Sequence, residues 1–163
     1  MKWLLVPLAA LALVPGASAA AKFTFSIDTP SPVAAPGVTL NGVDQTSSFT
    51  MQYTVGYTGG GNTAGWNVQA AATVPTSGTK TLPALQVTGV SAAPCTGGGC
   101  SDPANSVATP VTLSGSPVRI FNAAVNTGQG TIVLTATYLL TFPANALAAT
   151  YSSTVTVTAS TGP

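Results

Sequence analysis

From Ile132 to Phe142 the chain alternates without a break. Ile132, Leu134, Ala136, Tyr138, Leu140 and Phe142 fall on one side, and Val133, Thr135, Thr137, Leu139 and Thr141 on the other. A helix would scatter the apolar set around its circumference, whereas a strand places residues i, i+2 and i+4 on one face. The period recurs along the sequence. Phe23, Phe25 and Ile27 oppose Lys22, Thr24, Ser26 and Asp28, while Met51, Tyr53, Val55 and Tyr57 oppose Thr50, Gln52, Thr54 and Gly56. Trp66, Val68, Ala70, Ala72 and Val74 oppose Asn67, Gln69, Ala71 and Thr73. Tyr151, Ser153, Val155 and Val157 oppose Ser152, Thr154, Thr156 and Thr158. Shorter candidates lie at Leu85 to Val90, Val107 to Leu113 and Val118 to Phe121.

Turn chemistry bounds these runs. Pro30, Pro32 and Pro36 crowd the segment after Ile27, Gly59-Gly60-Gly61-Asn62 separates two runs, and Ser114-Gly115-Ser116-Pro117 and Gly128-Gln129-Gly130 separate others. The alanine-rich Ala144 to Ala149, behind Pro143, suits a turn or a single helical turn. One apolar and one Thr-rich face per strand predicts an all-β fold, an antiparallel β-sandwich of about seven to nine strands. No internal repeat or domain boundary interrupts it.

The leading segment reads as an export signal. Lys2 gives a positive start, Trp3 to Val14 is apolar, Pro15 and Gly16 break it, and Ala17-Ser18-Ala19 fits a signal peptidase. Cleavage is expected after Ala19, with Ala20 or Ala21 as further acceptable positions. Residues 1–19 are thus the signal peptide and residues 20–163 one domain. The apolar stretch is short of the ~20 residues a membrane-spanning helix needs, and no later stretch is better, so no membrane span is expected. No Cys stands at the expected cleavage site directly after that stretch, so no lipid anchor is expected at the new N-terminus.

Beyond the signal the ionisable side chains are Lys22, Lys80, Arg119, Asp28, Asp44 and Asp102, which cancel. A basic nucleic-acid footprint is absent. With so little charge, protection against edge-to-edge association is weak. The two cysteines, in Cys95-Thr96-Gly97-Gly98-Gly99-Cys100, should be oxidised in an exported protein. Two thiols without His cannot complete a zinc shell, so neither a metal nor a cofactor is expected.

Catalysis is not expected either. The chain has no His and no Glu, and its many Ser and Thr hydroxyls lack a base to activate them. Asp28 and Asp102 stand beside turn residues and Asp44 fits a loop cap.

Two stretches resemble a known family. Gly65-Trp66-Asn67-Val68 looks like the first signature of the WxL cell-wall-surface domain, with Val68 for the usual Leu. The run from Tyr151 through Val155-Thr156-Val157-Thr158-Ala159 to Pro163 resembles the second, with Val155, Val157 and Ala159 in place of Leu, Trp and Leu. Leu40-Asn41-Gly42 ahead of the Phe49 to Tyr57 strand sits where such domains begin. The resemblance covers nearly all of the chain beyond the signal. It implies a secreted surface protein of a Gram-positive bacterium, held non-covalently on peptidoglycan or another cell-wall glycan. The binding residues it implies are Trp66, Val68, Tyr151, Val155, Thr156, Val157, Thr158 and Pro163.

Read on their own chemistry, the same residues have plainer roles. Trp66 leads an alternating strand and can pack in the core, contact glycan, or do both with one exposed ring edge. Tyr151 can hydrogen-bond back to a loop, and Tyr53 and Tyr57 can serve as core or as a sugar platform. The expected function is therefore a non-catalytic wall-associated surface protein. Its alternatives are a self-assembling structural surface subunit that polymerises by strand addition at an open sheet edge, with itself or other surface proteins as partners, and a soluble carbohydrate-binding or adhesion module using the Gly59 to Gly65 and Cys95 to Ser101 loops.

Overall fold

The computed structural model describes Val6–Leu8, residues 22–58 and residues 64–163. Among the described residues the chain forms strands and no helix. In chain order β1 is Val6–Leu8, β2 Lys22–Ile27, β3 Val33–Ala35, β4 Gln45–Thr58 and β5 Trp66–Ala72. Two short strands follow, β6 (Thr76–Ser77) and β7 (Lys80–Thr81), then β8 (Gln86–Ala92) and β9 (Thr96–Ser101). The last four are β10 (Val111–Thr112), β11 (Val118–Ala123), β12 (Gln129–Phe142) and β13 (Val155–Thr161).

Two antiparallel sheets pack face to face, as the alternation predicts. The six-stranded sheet runs β10-β8-β12-β4-β2, with β9 also on β12, and the three-stranded sheet runs β11-β5-β13. β1 pairs with β3, and β6 with β7, as small ribbons. The signal segment, its cleavage site and the Gly59 to Asn62 turn otherwise lie outside the described residues.

The fourteen-residue strands β4 and β12 form the spine, paired from Gly130 opposite Tyr57 to Phe142 opposite Gln45. Phe49, Met51, Tyr53, Val55 and Tyr57 are buried from β4, and Ile132, Leu134, Tyr138, Leu140 and Phe142 from β12. The opposite sheet contributes Trp66, Val68, Ala70, Ala72, Ile120, Phe121, Val155 and Val157. Each large side chain so buried stabilises the fold by roughly 1.5–3 kcal/mol before entropy is counted. Tyr53 and Tyr57 are therefore core, not a platform. The hydroxyls of Tyr53 and Tyr138 satisfy each other at 2.6 Å in that core.

Several boundaries depart from the alternation. Tyr151 does not begin the last strand: Tyr151 to Thr154 approach β6 through a Thr76–Ser152 bridge, and β13 starts at Val155. The Tyr151 hydroxyl does reach back, donating to the Leu147 carbonyl at 2.9 Å. Val74 is exposed because β5 ends at Ala72. Of Val107 to Leu113 only Val111–Thr112 is strand, since Pro110 brings no N–H to a ladder. Residues 96–101, read as a loop, form β9 against β12 with a register shift around Gly130. Gly130 has φ of 95°, and a Cβ there would meet the Cys100 Cβ at 2.7 Å. Ala146 N–H donates to the Pro143 carbonyl, so that segment is a turn.

Candidate functional site

The two segments that resemble wall-binding signatures are neighbours in space. β13 pairs with β5 in register, Thr161 opposite Trp66, Ala159 opposite Val68 and Val157 opposite Ala70. The outcome for single side chains divides along the pleat. Trp66, Val68, Tyr151, Val155 and Val157 point inward and are buried, while Thr156 and Thr158 lie on the outward face. Pro163 is exposed, and its carbonyl accepts a hydrogen bond from Arg119 Nη2 at 2.9 Å.

Trp66 has no exposed ring edge. Its indole stacks on Phe121 with centroids 5.7 Å apart, and Nε1–H donates to the Gly128 carbonyl at 2.8 Å. Gly128 is held from its other side, because its N–H donates to the Asp102 carbonyl at 3.3 Å and Gln129 N–H donates to Ser101 Oγ at 3.2 Å. Residues 101 and 102 follow directly on the Cys95–Cys100 disulfide, and Asp102 Oδ1 accepts the Cys95 N–H at 2.8 Å. The bridge thus closes a small ring that braces the segment under the indole. By loop-closure entropy alone, reduction should lower unfolding stability by about 2 kcal/mol. Urea denaturation with and without reductant, followed by Trp66 fluorescence, checks this; unchanged midpoints would show the ring to be dispensable.

Outward from β13 the chemistry is uniform. Thr156, Thr158 and Ser160 alternate along β13, so their side chains share one face, and Ser152 and Thr154 carry the same spacing on towards the Thr76–Ser152 bridge. Beside them on β5, Asn67 Nδ2 donates to the Gly162 carbonyl at 2.7 Å, and Gln69 Nε2 donates to Asn67 Oδ1 at 3.0 Å. Those bonds explain why Asn67, expected outside, is buried without cost. The row opens at one end into a cavity of about 160 Å³ lined by Thr73, Thr76, Ser152, Ser153 and Thr154. Three contacts build it: Thr73 N–H to the Thr154 carbonyl, Thr76 N–H to the Ser152 carbonyl, and Ser152 N–H back to the Thr76 carbonyl. Ser153 Oγ donates to the Thr73 carbonyl at 2.6 Å and Thr154 N–H donates to Thr73 Oγ1 at 2.9 Å. That leaves the side-chain hydroxyls of Thr76, Ser152 and Thr154 without a protein partner among the described residues.

A cavity lined by uncharged Ser and Thr residues can exchange hydrogen bonds with a neutral polyhydroxy ligand, but it offers no counter-charge. The three carboxylates are engaged in separate places. Asp28 accepts from Ser26 Oγ and Thr54 Oγ1, Asp44 accepts the Ala144 N–H, and Asp102 holds the disulfide ring. No cluster of metal-ligating side chains occurs among the described residues. The cavity residues Thr73, Thr76 and Ser153 were not legible as a site, because they meet only through the β6 crossing. The row itself was visible as the polar half of the final alternation. The chain matches no protein-family model, no curated protein and no solved structure.

Proposed function

We propose that this chain is a non-catalytic, exported surface domain that associates non-covalently with cell-wall glycan, peptidoglycan foremost. The observation that carries the reading is the uncharged hydroxyl row from Ser152 to Ser160, continuous with the cavity at Thr73 and Thr76. Glycan strands present hydroxyl and acetamido groups at short repeats, and a neutral, regularly spaced hydroxyl surface suits them without the desolvation cost of buried charge. The Cys95–Cys100 bridge supports an extracytoplasmic setting. The in-register pairing of the Trp66 and Val155–Thr161 segments supports the WxL likeness, with the buried residues framing the sheet and Thr156 and Thr158 facing the ligand.

Co-sedimentation with insoluble peptidoglycan from several Gram-positive species tests it. The wild-type chain is expected to pellet, and the triple variant Thr154→Val, Thr156→Val, Thr158→Val is expected to bind about tenfold or more weakly while remaining folded. Valine keeps shape and strand propensity, so lost binding reports lost hydroxyls. A wild type that stays in the supernatant, or a triple variant that pellets equally, would overturn the proposal. Binding to soluble oligosaccharides in preference to intact wall would favour a carbohydrate-binding module instead.

A further inference from the structure

One side of the sandwich carries two outer strands, β13 of the three-stranded sheet and β2 of the six-stranded sheet, close to each other. The ladder determines which groups of β13 are free. Thr73 N–H donates to Thr154 and Gly162 N–H donates to Gly65, so the even-numbered positions bond inward to β5. The N–H and C=O groups of Val155, Val157, Ala159 and Thr161 therefore point outward along the edge. Among the described residues none of these groups has a partner there.

The far edge of the same sheet is covered at its C-terminal end. On β11 the outward N–H of Asn122 donates to Asn105 Oδ1 at 3.0 Å, and Ala124 N–H donates to the Ala104 carbonyl at 3.0 Å. β13 has no such cover, and none of the devices that keep edges apart: no charge, no proline and no bulge from Val155 to Thr161. Beside it, Phe23, Phe25 and Ile27 of β2 remain only partly buried.

We propose that β13 pairs with β13 of a second copy of this chain, antiparallel about a two-fold axis, joining two three-stranded sheets into one. The strand is self-complementary in hydrogen bonding and in charge, which is why a second copy is the occupant. Full overlap of Val155–Thr161 places Val155 opposite Thr161 of the partner subunit and Val157 opposite Ala159 of the partner subunit, about eight new backbone bonds in total. Thr158 then sits on the axis facing its own copy, and the two hydroxyl rows lie side by side, antiparallel, on one face of the joined sheet. The pairing uses the edge and not the face, so it stands whether or not the protein binds wall.

The test is the oligomeric state of the full chain, produced by an exporting bacterial host and purified, by sedimentation equilibrium. A dimer is expected. Ala159→Pro removes an outward N–H and none of the N–H groups that bond to β5, and should raise the dimer dissociation constant about a hundredfold. A second reading is independent of that variant's folding. Thr158→Cys should form an intermolecular disulfide, because non-bonded opposite residues bring Cα atoms to about 4.5 Å. Thr156→Cys should not, since its opposite position is Ser160. A monomer at all concentrations, a dimer indifferent to Ala159→Pro in a folded protein, or equal cross-linking at both cysteines would overturn the proposal.

Discussion

Replacing Trp66 by alanine should lower the free energy of unfolding by about 3–5 kcal/mol, read from urea denaturation. Against a typical total of roughly 5–15 kcal/mol, that brings the fold close to its limit. The reason is the completeness of its surroundings. The ring has no exposure, stacks on Phe121, and donates its one N–H to Gly128. Gly128 cannot move aside cheaply, for it has φ of 69° and a Cβ placed there would stand 2.6 Å from both the indole Nε1 and Ala123 Cβ. Trp66→Phe retains most of the packing and leaves the Gly128 carbonyl unpaired, for a smaller loss of about 1–3 kcal/mol. A loss below about 1 kcal/mol for Trp66→Ala would mean that the indole does not hold this end of the sandwich. On the proposed function, a wall-binding defect in Trp66→Ala would report a damaged fold, whereas the threonine variants would test contact.

The second large effect is alkaline unfolding through the tyrosine pair. Burial raises the Tyr53 phenol far above its ordinary value, with the adjacent Tyr138 adding to the rise. Burial also raises Tyr138, to about 12, against an opposing pull from its hydrogen bond to Tyr53. Above pH ~10 the unfolded chain therefore gives up phenolic protons that the native state still holds. Because the native state then binds more protons, stability falls as pH rises. The contribution is intact below about pH 10 and is lost as pH rises towards and beyond 12. Urea midpoints measured from pH 8 to pH 12 should show this decline, and the double variant Tyr53→Phe, Tyr138→Phe should flatten it. At neutral pH, Tyr138→Phe alone leaves the Tyr53 hydroxyl buried and unpaired, and should cost about 1–3 kcal/mol, more than the double variant does. An alkaline decline that survives in the double variant would place its origin outside the pair.

Both effects arise from residues whose inward direction is visible in the sequence. Tyr53, Trp66 and Tyr138 each sit on the apolar side of an alternating run, and each is buried. What the runs do not encode is the partner. Tyr53 and Tyr138 meet across 85 residues and Trp66 finds Gly128 across 62. The glycine-rich Thr96–Ser101 reads locally as a flexible ring, yet it becomes a strand because β12 supplies the ladder and Gly130 makes room for Cys100. Nor does alternation say where β13 begins: Thr73 and Thr76 capture Ser152 to Thr154 and delay its start to Val155.

Period and turn chemistry are local properties, carried by residues one or two positions apart, so the sequence by itself determined the all-β class, the inward faces and the Cys95–Cys100 ring. Pairing and exposure are not local. The tertiary structure alone decided that Trp66 would be sealed, that the two signature-like segments would lie side by side, and that a hydroxyl row would end in a cavity. It also left β13 as an uncovered edge, since a strand's neighbours depend on the path of the whole chain and not on its own residues.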